Sequence, residues 1–203
     1  MTPSNAASSP DPTVQPVPAS VVQQVDAADS TLHNPKRAVL SLGSNLGNRL
    51  ETLQGAVDAL ADTPGLRVKA VSPVYETDPW GVDPGSQPTY FNAVVILKTT
   101  LPPSSLWERA QAIEEAFERV RDSRWGPRTL DVDIVTYQGV VSDDPALTLP
   151  HPRAHERAFV LVPWHDVDPD AEVPGHGAVA GLLPALAGQG VRLRADVTLA
   201  LPD

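Results

Sequence analysis

An α+β fold is what this sequence predicts, on three observations: two amphipathic stretches with apolar residues three and four apart, four runs with strand patterning around them, and their order of strand, helix, strand, strand, helix, strand. That order is the split βαβ arrangement of a ferredoxin-like βαββαβ core, with an additional strand and helix expected at the C-terminal end. Many binding modules and enzymes share such a core, so function has to be argued from the residues it gathers.

Residues 1–35 carry six prolines, three Asp and no Lys or Arg, without periodicity, and are expected to form a disordered tail ahead of one domain over 36–203. The first core element is a strand from Lys36 to Leu42, an apolar run that ends in the turn Gly43-Ser44-Asn45. Leu46, Leu50, Leu53, Val57 and Leu60 then mark one face of a helix, capped by Asn45 or Asn48 and stopped by Pro64-Gly65. Leu66 to Thr77 reads as one strand and Asp78 to Gln87, with two Pro and two Gly, as a loop. Tyr90 to Thr99 is the next strand: Phe91, Ala93, Val95 and Leu97 share one face, and Tyr90, Asn92, Val94 and Ile96 the other. Ser105 and Glu108 have capping-box spacing at the start of a second helix, whose apolar face is Leu106, Ala110, Ile113, Phe117 and Val120. Arg119 to Arg128 is a loop or frayed helix end, and Thr129 to Tyr137 a strand. Residues 138–157 are turn-rich, followed by an apolar stretch from Ala158 to Trp164. A short helix over Ala178 to Ala187 and a final strand near Val191 to Leu199 complete the expectation.

Composition excludes several chemistries. The chain has 203 residues and no cysteine, so no disulfide, thiolate metal site or cysteine nucleophile exists, and the cytoplasm is the expected compartment. Fifteen basic against 25 acidic residues give a net charge of −10, which disfavours duplex nucleic acid and anionic membrane as partners. No apolar run approaches the roughly 20 residues that a membrane-spanning helix needs. A polyanionic ligand would require a local basic patch.

Such a patch precedes the last core strand. Arg119, Arg121, Arg124 and Arg128 offer planar donor forks suited to phosphate oxygens. Pairing of Arg119 and Arg121 with Glu114, Glu115 and Glu118 on a solvated helix face is the plainer account of those two. In Leu130-Asp131-Val132-Asp133-Ile134 the apolar residues take one face and turn both carboxylates onto the other. Two like charges one strand repeat apart call for a proton or a cation, and magnesium commonly takes one or two carboxylates together with phosphate oxygens and water. An exposed edge strand with two solvated Asp is the alternative. The turn at Gly43 to Gly47 lacks the Gly-Lys-Ser or Gly-Lys-Thr of a phosphate loop and reads as structural. Tyr90, Asn92 and Phe159 could frame a flat heteroaromatic ligand, although each is also an ordinary core or edge residue. His151 and His155 are four apart, but Pro152 intervenes and no third zinc ligand lies near.

Taken together, these residues resemble the 6-hydroxymethyl-7,8-dihydropterin pyrophosphokinase family of folate biosynthesis. The resemblance rests on the run Arg124-Trp125-Gly126-Pro127-Arg128-Thr129-Leu130-Asp131-Val132-Asp133-Ile134. Ser41 to Gly47, Ser72 to Thr77, Tyr90 to Ala93 and Leu149 to Arg153 follow the family order, and the likeness covers about residues 36–175. It implies transfer of pyrophosphate from ATP to the pterin hydroxymethyl oxygen with release of AMP. It further implies two magnesium ions on Asp131 and Asp133, with Arg119 and Arg128 joining those two as catalytic residues. Arg119, Arg121, Arg124, Trp125 and Arg128, with Gln111, His151 and Arg157, would lie on the ATP side, and Glu114 would support the arginines. Thr77, Asp78, Trp80, Tyr90, Asn92 and Phe159 would receive the pterin. A monomer is expected. The competing readings are a catalytically silent module that binds nucleotide or RNA, and a metal-dependent phosphohydrolase on the same fold.

Overall fold

A computed structural model describes residues 34–79, 87–117 and 129–202. Residues 1–33 of the tail expected over 1–35, together with Trp80, Arg119, Arg121, Arg124, Trp125 and Arg128, lie outside the described residues.

The core order is β1 (Lys36–Ser44), α1 (Arg49–Ala61), β2 (Leu66–Val71), β3 (Tyr75–Thr77), β4 (Tyr90–Thr99), α2 (Pro103–Ala116) and β5 (Asp131–Tyr137). A hairpin of β6 (Ser142–Asp144) and β7 (Leu147–Leu149) follows, then α3 (Ala158–Val167), a second small hairpin of β8 (Glu172–Val173) and β9 (Gly177–Ala178), α4 (Val179–Leu182) and β10 (Arg192–Leu193). The central sheet runs β10-β3-β4-β1-β5, with β2 also on β4 and every pairing antiparallel. This is the ferredoxin-like α+β arrangement.

The alternation expected in β4 is what makes the sheet two-sided. Phe91, Ala93, Val95 and Leu97 join Leu40, Leu42, Leu53, Val57, Leu106 and Ile113 in a core beneath α1 and α2. Val94 and Ile96 face the other way, into a second core with Val39, Val135, Leu161 and Trp164 beneath α3. The apolar stretch from Ala158 is therefore a helix that covers the far face of the sheet.

Five local expectations are corrected. The strand at Lys36 continues through Gly43 to Ser44 rather than turning at Gly43. The single strand over Leu66–Thr77 is two strands, because Pro73 has no N–H to give to the ladder; Ser72 bridges the break, its N–H donating to Val94 O and its hydroxyl accepting from Val94 N, both at 2.9 Å. The second helix begins at Pro103 without a side-chain cap, since Pro102 holds extended backbone and Pro103 presets the first helical φ; Ser105 sits inside the first turn and no capping box forms. The helix expected over Ala178–Ala187 gives way after Leu182 to a 3-10 turn over Leu183–Gln189, where Pro184 cannot donate an α-helical hydrogen bond. The final strand is two residues long, because its partner β3 has only three. Helix α1 is capped by Asn48, whose side chain accepts from Glu51 N at 3.4 Å.

Candidate active site

Strand β5 sets the site. Leu130, Val132 and Ile134 are buried in the core under α1 and α2, so strand alternation presents Asp131 and Asp133 on the opposite face, half-buried and roughly 7 Å apart along the strand. One residue further, a bulge between the β1 and β5 registers adds Val135, which enters the α3-side core; the aspartates thus sit where that core ends. The expected shared face is present. Both carboxylates line a cleft of about 340 Å³ with Gln111 and Glu114 of α2, Ala146, Leu147 and Thr148 of the β6-β7 hairpin, and His151.

Three groups hold this arrangement. Glu114 is buried, and its Oε1 accepts from Val132 N at 2.8 Å, so α2 grips the strand between the two aspartates. His151 N donates to Val135 O at 2.8 Å, which docks the chain after β7 on the bulge. Arg157 brings Nη1 to 3.6 Å from Asp133 Oδ2, and its guanidinium lies 5.5 Å from the Phe159 ring centre. The Arg157 side chain is 15% exposed, and its Nε is a buried donor with no partner among the described residues.

His151 Nε2 lies 3.9 Å from Asp133 Oδ2, which would favour an imidazolium, but burial, followed by repulsion from Arg157, pushes its pKa down to about 4. Burial wins because 3.9 Å is too long for a hydrogen bond. The ring is neutral at physiological pH. Its Nδ1 accepts from Arg153 N at 3.2 Å, so the single proton sits on Nε2, facing Asp133.

A second cluster adjoins the first across the sheet. Asn92, Gly43 and Asp131 are consecutive neighbours on β4, β1 and β5. A Cβ on Gly43 would come within 3.3 Å of Asn92 Oδ1, 3.7 Å of Tyr90 Cδ1 and 4.0 Å of the Asp131 Cβ, so the missing side chain leaves a floor between them. Asn92 is buried and donates from Nδ2 to Thr77 Oγ1 at 2.8 Å. At about 4.8 Å per strand, Asn92 and Asp131 are roughly 10 Å apart.

Asp131, Asp133, Gln111 and His151 therefore come together in the cleft, Tyr90 and Asn92 at the Gly43 floor with Thr77 bonded to Asn92, and Arg157 beside Asp133 with its guanidinium toward the Phe159 ring. Asp78 differs: it is exposed and pairs with Arg192 at 3.4 Å. No pattern in the chain announces the hairpin wall at 146–148, whose strands are three residues each, or Gly43 as a floor, because a glycine in a turn and one in a strand look alike. His155 stacks on His176 with ring centres 3.7 Å apart.

Comparison with known proteins finds relatives over most of the chain. Residues 39–169 match the family model for 7,8-dihydro-6-hydroxymethylpterin-pyrophosphokinase. A 2-amino-4-hydroxy-6-hydroxymethyldihydropteridine pyrophosphokinase of Methylorubrum extorquens is 48% identical over 139 residues, 68% of this chain and 87% of the relative. Its counterpart in Pseudomonas aeruginosa is 44% identical over 156 residues, covering 77% and 95%, and that of Mycobacterium leprae 51% over 148 residues, covering 68% and 74%. Among solved structures, a wild-type Plasmodium falciparum HPPK-DHPS with pteroate superposes with a TM-score of 0.60 at 14% identity, a likeness of fold that covers 75% of this chain and 44% of that one.

Proposed function

This chain belongs to the 7,8-dihydro-6-hydroxymethylpterin pyrophosphokinase family, transferring pyrophosphate from ATP to 6-hydroxymethyl-7,8-dihydropterin in folate biosynthesis, and on that premise we propose which of its residues do the work. Asp131 and Asp133 hold two magnesium ions. The donor set fits: two hard oxygen ligands share one face of a cleft, and magnesium takes one or two carboxylates and completes its shell with phosphate oxygens and water. Bound there, the ions would neutralise phosphate charge and lower the pKa of the attacking hydroxyl.

The chain's own residues position the two substrates. Gln111, His151 and the hairpin wall receive the nucleotide, with His151 offering Nε2–H as a neutral donor. Tyr90 and Phe159 give the pterin its stacking surfaces, and Asn92 and Thr77 read its edge, while Gly43 lets the ring lie close to the sheet. The hydroxymethyl oxygen then points along the floor toward Asp131, attacks the β-phosphorus in line, and the bond from that phosphorus to the α-bridging oxygen breaks to release AMP; the hydroxyl proton leaves to solvent. Arg157 faces the phosphates, where its buried Nε–H finds an acceptor. Arg119, Arg121, Arg124, Trp125 and Arg128, outside the described residues, belong to the same ATP side by their place in the family signature. The protein works as a monomer in the cytoplasm, with residues 36–203 as the catalytic domain.

The observation that carries this reading is the aspartate pair on one face of β5, next to the Gly43 floor and Asn92. With ATP, magnesium and the hydroxymethyl-dihydropterin, AMP should form one for one with the pterin pyrophosphate. Asp131→Ala and Asp133→Ala should each lower kcat ~10²-fold or more while leaving the circular dichroism spectrum unchanged. ADP as product, or full turnover in either variant, would contradict it.

A further inference from the structure

Behind the sheet face that carries Tyr90 and Asn92 lies an ionic cluster that the proposed chemistry does not use. Glu76 and Phe91 are opposite one another in the β3-β4 ladder, and alternation turns them away from the face of Tyr75, Thr77, Tyr90 and Asn92. Glu76 Oε1 accepts from the Thr89 hydroxyl at 2.7 Å and from Arg49 Nη1 at 3.2 Å, and Arg194 Nη1 lies 3.4 Å from Oε2. Arg49 Nη1 also donates to Thr89 O at 2.8 Å. The two guanidinium carbons stand 3.8 and 4.8 Å from the centre of the Phe91 ring.

The cluster draws on four parts of the chain: the first residue of α1, the middle of β3, the residue before β4 and the one after β10. Exposures of 24, 20 and 27% for the Arg49, Glu76 and Arg194 side chains leave the charges incompletely screened. The Thr89 hydroxyl, and then the two arginines, hold the Glu76 carboxyl below its usual value against the opposing effect of burial. Ion pairs of this exposure contribute little net stability, and fixing two arginines and a glutamate costs side-chain entropy. What the cluster does fix is position. Glu76 and Thr89 are the chain neighbours of Thr77 and Tyr90, and the bonds between them tie together the two ends that flank residues 78–88.

We propose that Glu76, gripped by Arg49, Thr89 and Arg194, is a positioning residue for the pterin: from the back of the sheet it sets the spacing of Thr77 and Tyr90 and so presets the face that receives the ring. This rests on the assignment of Tyr90 and Asn92 to the pterin. Arg194 lies beyond residues 39–169, the span matched to the family model.

Steady-state kinetics of the full chain test it, with both substrates varied in Glu76→Gln, Arg49→Met, Arg49→Lys, Thr89→Val and Tyr90→Ala. Glu76→Gln and Arg49→Met should raise KM for the hydroxymethyl-dihydropterin roughly tenfold, because displacement of a binding group by a fraction of an ångström has that scale of effect. KM for ATP should stay within about twofold, and Arg49→Lys should recover part of the loss, since one donor to Glu76 is restored. A general loss of structure would move both KM values together, and that result in folded protein overturns the proposal. An unchanged pterin KM in Glu76→Gln, with Tyr90→Ala raising it, overturns the positioning role alone; an unchanged pterin KM in both overturns the pterin assignment as well. If Glu76→Gln fails to fold, Thr89→Val, which removes one hydroxyl, decides by the same two KM values.

Discussion

Gly43 shows how much a single missing side chain can determine. Its neighbours across the sheet are Asn92 and Asp131, and its φ is not among the positive ones, so an L-residue with β-branched shape would suit the backbone there. Space, not conformation, selects glycine. An added methyl meets Asn92 Oδ1 at 3.3 Å, which a small shift of the amide absorbs, whereas the two methyl groups of valine would fill the floor. Gly43→Ala should therefore raise the pterin KM modestly and Gly43→Val by roughly tenfold or more, with the melting temperature of both near that of the parent. A Gly43→Val enzyme with unaltered pterin KM would show that the ligand does not approach the sheet at this row. His151 gives a pH effect of definite sign. Its folded pKa of about 4 lies below the 6.5 of the unfolded chain, so the unfolded state binds the proton first, and stability present above pH 6.5 is lost as pH falls toward 4. The loss reaches about 3 kcal/mol at most. Imidazole resonances followed by NMR should show His151 uncharged at pH 5.5, and urea melts of His151→Gln should have a flatter acid limb than the parent.

At the scale of elements, β3 is too short to hold itself, and its attachments decide where it lies. Besides the β4 ladder, Tyr75 OH donates to Asp166 Oδ2 at 2.8 Å, which ties β3 to α3, the helix that begins beside Arg157 and Phe159. Burial and then the Asp166 carboxylate push the phenol up to about 12, above the 10.0 of an open tyrosine. Because the folded pKa is the higher one, this contribution is complete below pH 10 and disappears as pH rises toward 12. Tyr75→Phe should cost about 1.5–3 kcal/mol at neutral pH, the worth of a hydrogen bond to a charged acceptor, and an ultraviolet titration should lose a phenol ionising near pH 12. If the missing phenol ionises near pH 10 instead, the tether is not formed in solution. The same element shows where sequence reading succeeds and where it stops. β4 was legible because ten residues with apolar groups on both faces admit one placement, in the centre of a sheet between two cores. The carboxylate face of β5 was legible for a similar reason, since three apolar residues at alternate positions leave the aspartates one direction. The break at Ser72-Pro73-Val74 was not, because a serine hydroxyl that replaces a ladder partner leaves no periodic trace. Nor were β6 and β7, three residues each, whose pairing depends on which edges the rest of the fold leaves uncovered; the final strand was legible near Val191 to Leu199, but not its two-residue extent, which β3 sets. Glu114 and Glu76 belong to the same class: a buried or half-buried glutamate on an otherwise ordinary helix or strand reveals its partner only in three dimensions.

For the molecule as a whole, the segment after α4 acts as a strap around one edge of the sheet. Gln189 accepts from Ala158 N and donates to Glu156 O, both at 2.8 Å, and thereby closes the start of α3. Arg194 N then donates to Val74 O at 2.9 Å beside β3. Further on, Val197 packs against the core beneath α1 and α2, Leu199 is buried in it, and Ala200 N donates to Gln54 Oε1 at 2.7 Å on α1. One short segment thus touches the α3 layer, the sheet edge and the α1 layer in turn, which couples the two cores independently of the strands between them. Leu199 supplies the larger share, about 1.5–3 kcal/mol for a fully buried leucine. Truncation after Gly188 should therefore destabilise the protein by about 4 kcal/mol, Leu199 plus about 1–2 kcal/mol from the four hydrogen bonds together, since those to Glu156 O and Gln54 Oε1 are exposed and exchange for bonds to water. At about 2–4 °C per kcal/mol for a domain of this size, calorimetry should find the melting temperature lowered by roughly 8–16 °C. Leu199→Ala separates this from positioning at the site: it loses the burial, about 2–4 kcal/mol, but keeps Arg194. Its melting temperature should fall while its pterin KM at 25 °C remains that of the parent, whereas Arg194→Met should do the reverse. If both variants lose stability and pterin affinity in proportion, strap and site are one cooperative unit, and the back-of-sheet cluster has no role separable from folding.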